Sequence, residues 1–368
     1  MADMESLSDS SGAPRQPAFL WDFWYPAKRS AELPPRKLSS AQVLNLPLVL
    51  GRDAQGRAFA LRDNCPHRGM PLSLGRFDGC NIECIYHGWK FDAHTGQCRE
   101  VPALAVGSNV KVDRLFAQSF PCREQDGYVW VFVSDPERPQ AAAEEPLPVP
   151  SLPVFSENYR VFFHYVLLPV DVDQGILGLL DPAHGPYVHE SWFWRSRHAQ
   201  RDKEKTFEPI PYGFRMRAHP PSANTLLYQI LGVYGQPVTT TIDFVLPNLR
   251  IETIRCGPHW FSNRTMVTPL GTNLCRMDFC AAWNLFRWVP FVKPIFGALA
   301  RRFIGQDQRN FQLQAAGLRS HPPMMLVGDP DRQARWYFAL KNAWMESRKT
   351  GEPFRHPLTE PITLRWRS

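Results

Sequence analysis

The chain has 368 residues, which is long enough for two domains, and its 44% hydrophobic and 21% charged residues are the balance of a globular protein. A formal net charge of +7 suggests nucleic-acid binding, but no basic run with interleaved aromatic residues is present, which argues against that class. The charge fits a mildly basic enzyme, or a positive face that attracts an acidic partner protein.

The N-terminal segment and the cysteines indicate the compartment. Met1–Gln16 is polar and serine-rich and lacks the apolar segment of a secretory signal, so we expect a cytoplasmic protein. In a reducing compartment, clustered cysteines favour metal binding over disulfides, and this chain has eight cysteines. No run of about 18 uncharged apolar residues is present, so no transmembrane helix is predicted.

The first part of the chain is predicted to be all-β. Residues 1–18 have the composition of a flexible arm, and residues 19–135 hold short strands at Pro47–Gly51 and Ala58–Leu61. The strongest strand is predicted at 127–134, where valines alternate with aromatic residues.

A linker at 136–153, with six prolines, marks the boundary to a second domain at 154–368. The predicted strands of this domain are Tyr159–Leu168, Gly213–Ala218, Leu226–Val233, Val238–Leu246, Arg250–Cys256 and Leu274–Trp283. Its predicted helices are Val172–His184, Ile295–Leu318 and Asp331–Lys349. This pattern predicts an α+β fold with a large, mostly antiparallel sheet and a few long helices.

Two motifs in the first domain each combine a cysteine with a histidine. Cys65-Pro-His67 and Cys84-Ile-Tyr-His87 are separated by sixteen residues, and the prolines and glycines beside them favour tight turns. Two such loops would bring two thiolates and two imidazoles to one site. Zinc binds the same ligand set, although the two ligands of one pair are commonly alike in zinc sites. The other cysteines lack this spacing and are expected to be small buried residues.

A third motif, Asp181-Pro-Ala-His184-Gly-Pro-Tyr-Val-His189, lies in the second domain. Side chains five positions apart on an ideal helix differ in direction by about 140° and cannot share a metal. Because proline disfavours the helical conformation of the residue before it, Gly185-Pro186 should break the helix. His189 can then turn back beside His184.

These motifs resemble those of the catalytic (α) subunit of Rieske-type non-haem iron aromatic-ring-hydroxylating oxygenases. The first two match the fingerprint C-x-H-x₁₆-C-x₂-H, which implies a [2Fe–2S] cluster bound by Cys65, His67, Cys84 and His87. The third matches D-x₂-H-x₄-H, so that the resemblance covers nearly the whole chain. It implies an N-terminal all-β Rieske domain and a C-terminal helix-grip (START-like) catalytic domain with an antiparallel sheet.

The resemblance also implies a mononuclear iron centre. His184 and His189 would bind Fe(II) together with a later carboxylate, in a facial triad that leaves positions open for O₂. Asp307, on a predicted long helix, is the best match for the carboxylate. Asp278 and Asp243, on predicted strands, are the alternatives.

Asp181 has a different role in that family. An Asp at this position bridges a Rieske histidine of a neighbouring subunit to an iron-binding histidine, here His87 and His184, which implies an oligomer, expected to be a homotrimer. Many relatives carry Asn three or four positions before this Asp, where the present chain has Gly178 and Leu177. The resemblance therefore does not imply the hydrogen bonding at these positions near the iron.

The activity implied by the resemblance is O₂-dependent oxidation of an organic substrate. Electrons would come from NAD(P)H through a separate ferredoxin or flavin reductase, since this chain has no GxGxxG nucleotide fingerprint. Its 12 Trp and 24 Phe favour a hydrophobic or aromatic substrate, which would be hydroxylated or oxidatively demethylated. The alternatives are a Rieske electron-transfer or ligand-binding protein without a second iron, and a binding module stabilised by zinc.

Overall fold

The computed structural model describes residues 18–137, 147–189, 200–220, 233–286 and 288–368, together with Tyr228 and Leu231. Contacts between Cα atoms divide the chain into a unit of Trp21–Ser151 and a unit that holds Leu152–Ser368 and the residues up to Leu20. Nearly all of the predicted arm and half of the predicted linker lie outside the described residues.

Three small antiparallel sheets form the N-terminal unit. Their strands are β1 (Phe23–Arg29), β2 (Ser39–Val43), β3 (Leu46–Arg52), β4 (Ala58–Arg62), β5 (Arg76–Phe77), β6 (Asn81–Glu83), β7 (Lys90–Asp92), β8 (Cys98–Glu100), β9 (Ser119–Phe120), β10 (Cys122–Gln125) and β11 (Tyr128–Val133). The strand orders are β1-β11-β10, β2-β3-β4-β9 and β5-β6-β7-β8. Short 3₁₀ turns lie at Ser30–Glu32, Leu72–Leu74 and Val112–Arg114.

Strand β11 follows the pattern of its sequence. All six of its alternating valine and aromatic side chains are buried. It is the central strand of its sheet and pairs with β1 from Val133 opposite Phe23 to Tyr128 opposite Arg29. The strand predicted at 127–134 is therefore confirmed, as are the two strands predicted within β3 and β4.

One eight-stranded antiparallel sheet forms the main layer of the C-terminal unit. Its strands are β12 (Arg160–Leu168), β13 (Asp202–Ile210), β14 (Gly213–His219), β15 (Val238–Val245), β16 (Leu249–Cys256), β17 (His259–Gly271), β18 (Leu274–Trp283) and β19 (Ile362–Arg367), in the order β12-β18-β17-β16-β15-β14-β13-β19. The helices whose bounds lie in the described residues are α1 (Val172–Leu180), α2 (Gly185–Val188), α3 (Val292–Leu318) and α4 (Arg332–Thr350). The predicted α+β fold is confirmed.

Helix α3 packs on the sheet through aromatic rings. The ring of Phe296 lies 4.5 Å from Trp283 and 5.6 Å from Phe162, measured between centroids. Beside it, a Cβ on Gly297 would come within 2.8 Å of the Phe162 ring, so that this glycine lets the helix approach the sheet. Burial of each such aromatic side chain stabilises the contact by about 1.5–3 kcal/mol. In the described part of the chain, no helix has the length and apolar composition needed to cross a bilayer.

Helix α1 is fixed by a polar contact with α4. The ammonium group of Lys341 donates to both carboxylate oxygens of Asp173, at 2.6 and 2.8 Å, and the hydroxyl of Tyr337 donates to the same carboxylate at 2.6 Å. The carboxylate of Asp171 caps the helix by accepting from the N–H of Gln174. These contacts fix the start of α1, which runs toward Asp181.

Two predicted elements were wrong in part. The helix predicted over Val172–His184 ends at Leu180, because Pro182 favours an extended backbone at Asp181. The strand predicted over Leu226–Val233 is wrong where it is described, since Tyr228 and Leu231 are helical. A short apolar run has no period that separates a buried strand from a buried helix.

Candidate metal centres

Two loops of the N-terminal unit have the same backbone geometry. In each, the N–H of the cysteine donates to the carbonyl five residues later, at 2.8 Å for both Cys65 and Cys84. The residue four positions after the cysteine donates back to the cysteine carbonyl, at 2.8 Å for Gly69 and 2.9 Å for Gly88. Both glycines have a φ of 73°, a conformation that glycine adopts without strain. The repeated turn presents each cysteine and its histidine on one loop.

The four residues predicted to bind a cluster lie together. The thiols of Cys65 and Cys84 are buried, and burial and the neighbouring Cys84 thiol raise the pKa of Cys65 to about 11. The imidazole rings of His67 and His87 are 4.5 Å apart between centroids. Trp89 stacks on His67 at 4.7 Å with an interplanar angle of 6°, which holds that ring in place.

This donor set fits a [2Fe–2S] cluster of the Rieske type. The Nδ1 atom of His67 is buried and makes no hydrogen bond to any part of the chain that the structure describes. Burial lowers the pKa of His87, and the nearby Arg68 guanidinium acts in the same direction, which favours the neutral form of His87. Neutral imidazoles bind metals, and a Rieske cluster takes two thiolates and two imidazoles.

A second group of ligands forms where α1 ends. The backbone of Asp181 is extended, and α2 then begins with Pro186 in its first turn. His184 and His189 lie at the two ends of this short helix, with their Nε2 atoms 3.3 Å apart. The break predicted at Gly185-Pro186 is wrong in its place, because Gly185–Val188 is helical with Pro186 in its first turn, and the chain instead leaves α1 at Asp181, before Pro182. The short helix α2 itself brings the two histidines together.

Asp307 reaches the same point from α3. Its Oδ1 atom lies 3.1 Å from Nε2 of His189 and 3.8 Å from Nε2 of His184. The three ligand atoms all lie within 4.8 Å of one another. The side chain of His189 is 2% exposed, whereas those of His184 and Asp307 are 27% and 20% exposed, so the group is accessible from one side.

The hydrogen bonds at Nδ1 of both imidazoles favour the neutral tautomer whose Nε2 faces this point without a proton. Nδ1 of His184 donates to the Asp181 carbonyl at 3.0 Å, and Nδ1 of His189 donates to Oε1 of Gln306 at 3.2 Å. In that neutral tautomer each Nε2 is an acceptor, as is the Asp307 carboxylate. Three acceptors so close repel one another unless a cation lies between them. Two histidines and one carboxylate are the ligand set of mononuclear Fe(II) oxygenases.

Asp181 is placed beside this group. Its Oδ2 atom lies 3.6 Å from Nδ1 of His184, and its Oδ1 accepts from the N–H of Ala183 at 2.7 Å. Burial alone would raise the pKa of Asp181, but the nearby His184 imidazole and the N–H of Ala183 lower it. Burial alone would lower the pKa of His184, but the carboxylates of Asp181 and Asp307 raise it. The Asp181 side chain is 39% exposed, so its carboxylate can be reached from outside.

The two alternative carboxylates are paired with arginines. Asp278 is buried and accepts a hydrogen bond of 2.7 Å from Nε of Arg276. Asp243 accepts two hydrogen bonds of 2.7 Å from Arg215. Since both charges are already compensated, neither carboxylate is suited to bind a metal.

Sequence reasoning missed two residues that hold His189. Phe303 stacks on its imidazole at 3.7 Å with an interplanar angle of 18°, and Gln306 accepts from its Nδ1. Phe303 precedes Asp307 by four positions, so both lie on one face of α3. That spacing could have identified Phe303, whereas nothing in the sequence distinguishes Gln306 from its polar neighbours.

A cavity of about 660 Å³ opens onto the mononuclear ligand group. It lies within the C-terminal unit, between α3 and the sheet. His184, His189 and Asp307 line it together with Asp181. Its volume lies in the range of small-molecule binding sites.

A side chain at Gly178 would collide with a ring of α3. A Cβ on this glycine of α1 would lie 2.4 Å from the tip of the Phe311 ring on α3. An asparagine, as many relatives carry three or four positions before the Asp, would need the space that Phe311 fills. In this chain Gly178 and Phe311 thus make an apolar contact beside the cavity.

Comparisons with known proteins identify a domain family and a relative of this chain. Residues 23–121 match the family model of the Rieske [2Fe-2S] domain. The chain is 30% identical over 358 residues to chlorophyllide a oxygenase of Chlamydomonas reinhardtii, which covers 92% of this chain and 51% of that relative. The chain therefore spans about half the length of that relative.

Two solved structures share the fold of nearly the whole chain. Dicamba monooxygenase bound to dicamba has a TM-score of 0.69 at 21% identity and covers 90% of this chain and 98% of its own. NdmA of Pseudomonas putida CBB5, in a mutant bound to theobromine, has a TM-score of 0.70 at 18% identity and covers 93% and 96%. At these identities the likeness concerns the fold.

Proposed function

Because the chain carries a Rieske [2Fe–2S] domain and has the fold of Rieske oxygenase catalytic subunits, we propose that it is the oxygenase component of a multicomponent Rieske system. One observation carries the proposal. Nε2 of His184, Nε2 of His189 and Oδ1 of Asp307 converge at the wall of a cavity large enough for an organic substrate. An electron carrier without substrate chemistry has no need of such a ligand group.

Cys65 and Cys84 would bind one iron of the cluster, and His67 and His87 the other. The matched turns at Gly69 and Gly88 orient the four side chains. Imidazole in place of thiolate removes negative charge from one iron and raises the reduction potential of the cluster. The cluster would therefore accept electrons readily from a ferredoxin or an NAD(P)H-dependent flavin reductase.

His184, His189 and Asp307 would hold Fe(II), which, when bound, supplies the O₂ chemistry of this class of enzymes. The chain itself orients the histidine ligands. Gln306 and Phe303 fix the ring of His189, and the Asp181 carbonyl fixes the tautomer of His184. The apolar rings around the cavity keep water away from the bound substrate.

Asp181 would connect the two metal centres of neighbouring subunits. Its carboxylate lies against His184 on one side and is partly exposed on the other, as a bridge to His87 of the partner subunit requires. This arrangement implies a homotrimer, which we include in the proposal.

The substrate would be a hydrophobic or aromatic compound, which the enzyme hydroxylates or oxidatively demethylates. The aromatic side chains of the cavity wall support this part of the proposal. Dicamba monooxygenase, one of the solved structures that share the fold, is a monooxygenase by name. The reductant would be NAD(P)H, used through a separate reductase.

Metal analysis of anaerobically purified protein after iron reconstitution tests the proposal. About three iron and two sulfide per chain are expected for a cluster plus a mononuclear site. About two iron and two sulfide would leave an electron carrier without a second iron site. Zinc without sulfide would overturn both functions.

A further inference from the structure

One row of facing side chains crosses the floor of the cavity from strand to strand. In order across the sheet, these residues are His219, Thr240, Ile254, Phe261 and Trp283. All five line the cavity. The row changes from an imidazole and a hydroxyl on β14 and β15 to aliphatic and aromatic side chains on β16, β17 and β18. The floor of the cavity is therefore polar toward one edge of the sheet and apolar toward the other.

Helix α3 continues the apolar end. Phe296, Leu299 and Phe303 line the cavity from the helix side. Phe296 lies 5.8 Å from Phe261 and 4.5 Å from Trp283, so that helix and floor form one aromatic wall. This wall can bury a bulky apolar group of a ligand.

Two lysines of β13 line the polar end. Lys203 is buried, and its ammonium group donates to Oγ of Ser368 at 2.6 Å. Lys205 is half-buried, burial lowers its pKa, and it makes no hydrogen bond or ion pair with any residue in the described ranges. Burial lowers the pKa of His219 as well, and the charges of Lys205 and Lys203 act in the same direction.

The other charged pair on the floor is already neutralised. Arg250 and Glu252 form an ion pair at 3.2 Å, and the amide of Asn263 donates to the same Glu252 oxygen at 3.3 Å. Lys205 is therefore a cation inside the cavity whose charge no described neighbour compensates. A half-buried ammonium without a counter-charge is unfavourable, and a bound anion would remove that cost.

We propose that the cavity takes an amphipathic organic anion, with a bulky apolar body against Phe261, Trp283 and α3 and a carboxylate on Lys205. The inference rests on the proposed function, since it names the substrate class of the same site. It requires the anionic group to lie at the β13 edge of the floor, so the apolar body of the substrate extends toward α3, where Asp307 is located.

A matched pair of fluorescent probes tests the charge preference. 1-Pyrenebutyrate and 1-pyrenebutanol share one apolar body and differ in the carboxylate. Each is titrated into iron-reconstituted full-length protein, and the change in pyrene fluorescence gives Kd. The wild-type protein should bind the acid about tenfold more tightly than the alcohol, the expected size of one charge-assisted hydrogen bond.

Three variants locate that preference. Lys205→Met should weaken binding of the acid by about tenfold and change the Kd of the alcohol by less than about twofold. Lys205→Arg should keep the preference for the acid. Lys349→Met, at an exposed lysine of α4, is the matched control and should change neither Kd. Circular dichroism and thermal unfolding verify that each variant is folded.

The outcomes separate this inference from the proposed function. Equal affinity of the wild-type protein for acid and alcohol, or an equal loss of both in Lys205→Met, would overturn the anion site even if three iron are bound. A preference for the acid that depends on Lys205 supports the site, including in protein that lacks the third iron, where the oxygenase proposal alone would fail.

Discussion

Oε1 of Gln306 lies 3.2 Å from Nδ1 of His189, on the edge of the ring opposite the Nε2 atom that faces Asp307. An amide oxygen only accepts, so it holds the ring proton on Nδ1. His189 is thereby fixed in the tautomer whose Nε2 can bind a metal. Gln306 is a positioning residue that acts through His189.

Gln306→Leu should weaken Fe(II) binding by about 10- to 100-fold, because the lost acceptor releases the tautomer and the ring orientation. Titration of Fe(II) into protein depleted of the third iron measures the affinity. Gln306→Glu, which keeps an acceptor oxygen, should retain most of it. Gln312→Leu, at an exposed position of the same helix, is the matched control. An unchanged Fe(II) affinity in Gln306→Leu would refute the positioning role.

His184→Ala should separate the two metal centres. We expect the visible spectrum of the cluster to remain and turnover to disappear, because the variant loses one of two imidazole ligands of the mononuclear iron. Its iron content should fall from about three to about two per chain. His67→Ala is the reciprocal variant and should lose the cluster spectrum. Loss of the cluster spectrum in His184→Ala would contradict the assignment.

Asp181→Asn tests the bridge between subunits. Both metals should remain bound, since Asp181 is not expected to be a ligand, but reoxidation of the reduced cluster in a single turnover should slow by about 10- to 100-fold. Stopped-flow absorbance of the cluster measures the rate. Asp202→Asn, at an exposed position of β13, is the control. Equal single-turnover rates in wild type and Asp181→Asn would remove the bridge from the mechanism.

Gly178→Asn should destabilise the C-terminal unit by about 1–3 kcal/mol, because the added side chain collides with Phe311. Chemical denaturation gives the free energy of unfolding. In the Phe311→Ala background, which lacks the ring, adding Gly178→Asn should lower the free energy of unfolding by less than it does in the wild type. A Cβ on Gly317, also on α3, meets no atom within 4 Å, so Gly317→Ala should cause no comparable loss.

Asp53 should make the N-terminal unit sensitive to acid. Burial alone would raise its pKa, but hydrogen bonds from Arg57 and His94 outweigh burial and lower the pKa to about 2. Its contribution to stability is therefore complete above the unfolded pKa of about 3.9 and is lost as the pH falls toward 2.

The free energies of unfolding of the wild type and of Asp53→Asn should therefore differ most at neutral pH. This difference should shrink between about pH 4 and 2. Urea denaturation followed by tryptophan fluorescence at several pH values measures it. Asp113→Asn, at an exposed position of the same unit, is the control and should change little. A difference that stays constant down to pH 2 would show that the Asp53 charge is not responsible.

Features that depend on residues adjacent in the chain could be predicted from the sequence. The spacing of Cys65, His67, Cys84 and His87 was visible because each pair lies within one tight turn, whose geometry depends on adjacent residues. The break predicted at Pro186 lies instead at Asp181-Pro182, because proline is accepted in the first turn of a helix and Pro186 takes that position in α2. The strand at 127–134 was predictable because its alternating valines and aromatic residues suit a buried strand.

Distant contacts were decided by the tertiary structure. Asp307 is separated from His189 by more than one hundred residues, and only the packing of α3 on the sheet brings its carboxylate to 3.1 Å from that ring. The contact of Gln306 with His189, and that of Phe311 with Gly178, likewise depend on how α3 crosses the end of α1. Lys205 lies in the cavity only because of the strands that pair beside β13. The sequence by itself thus determined the ligands that share a turn, whereas ligands and pocket residues from separate elements meet only through packing that no local pattern encodes.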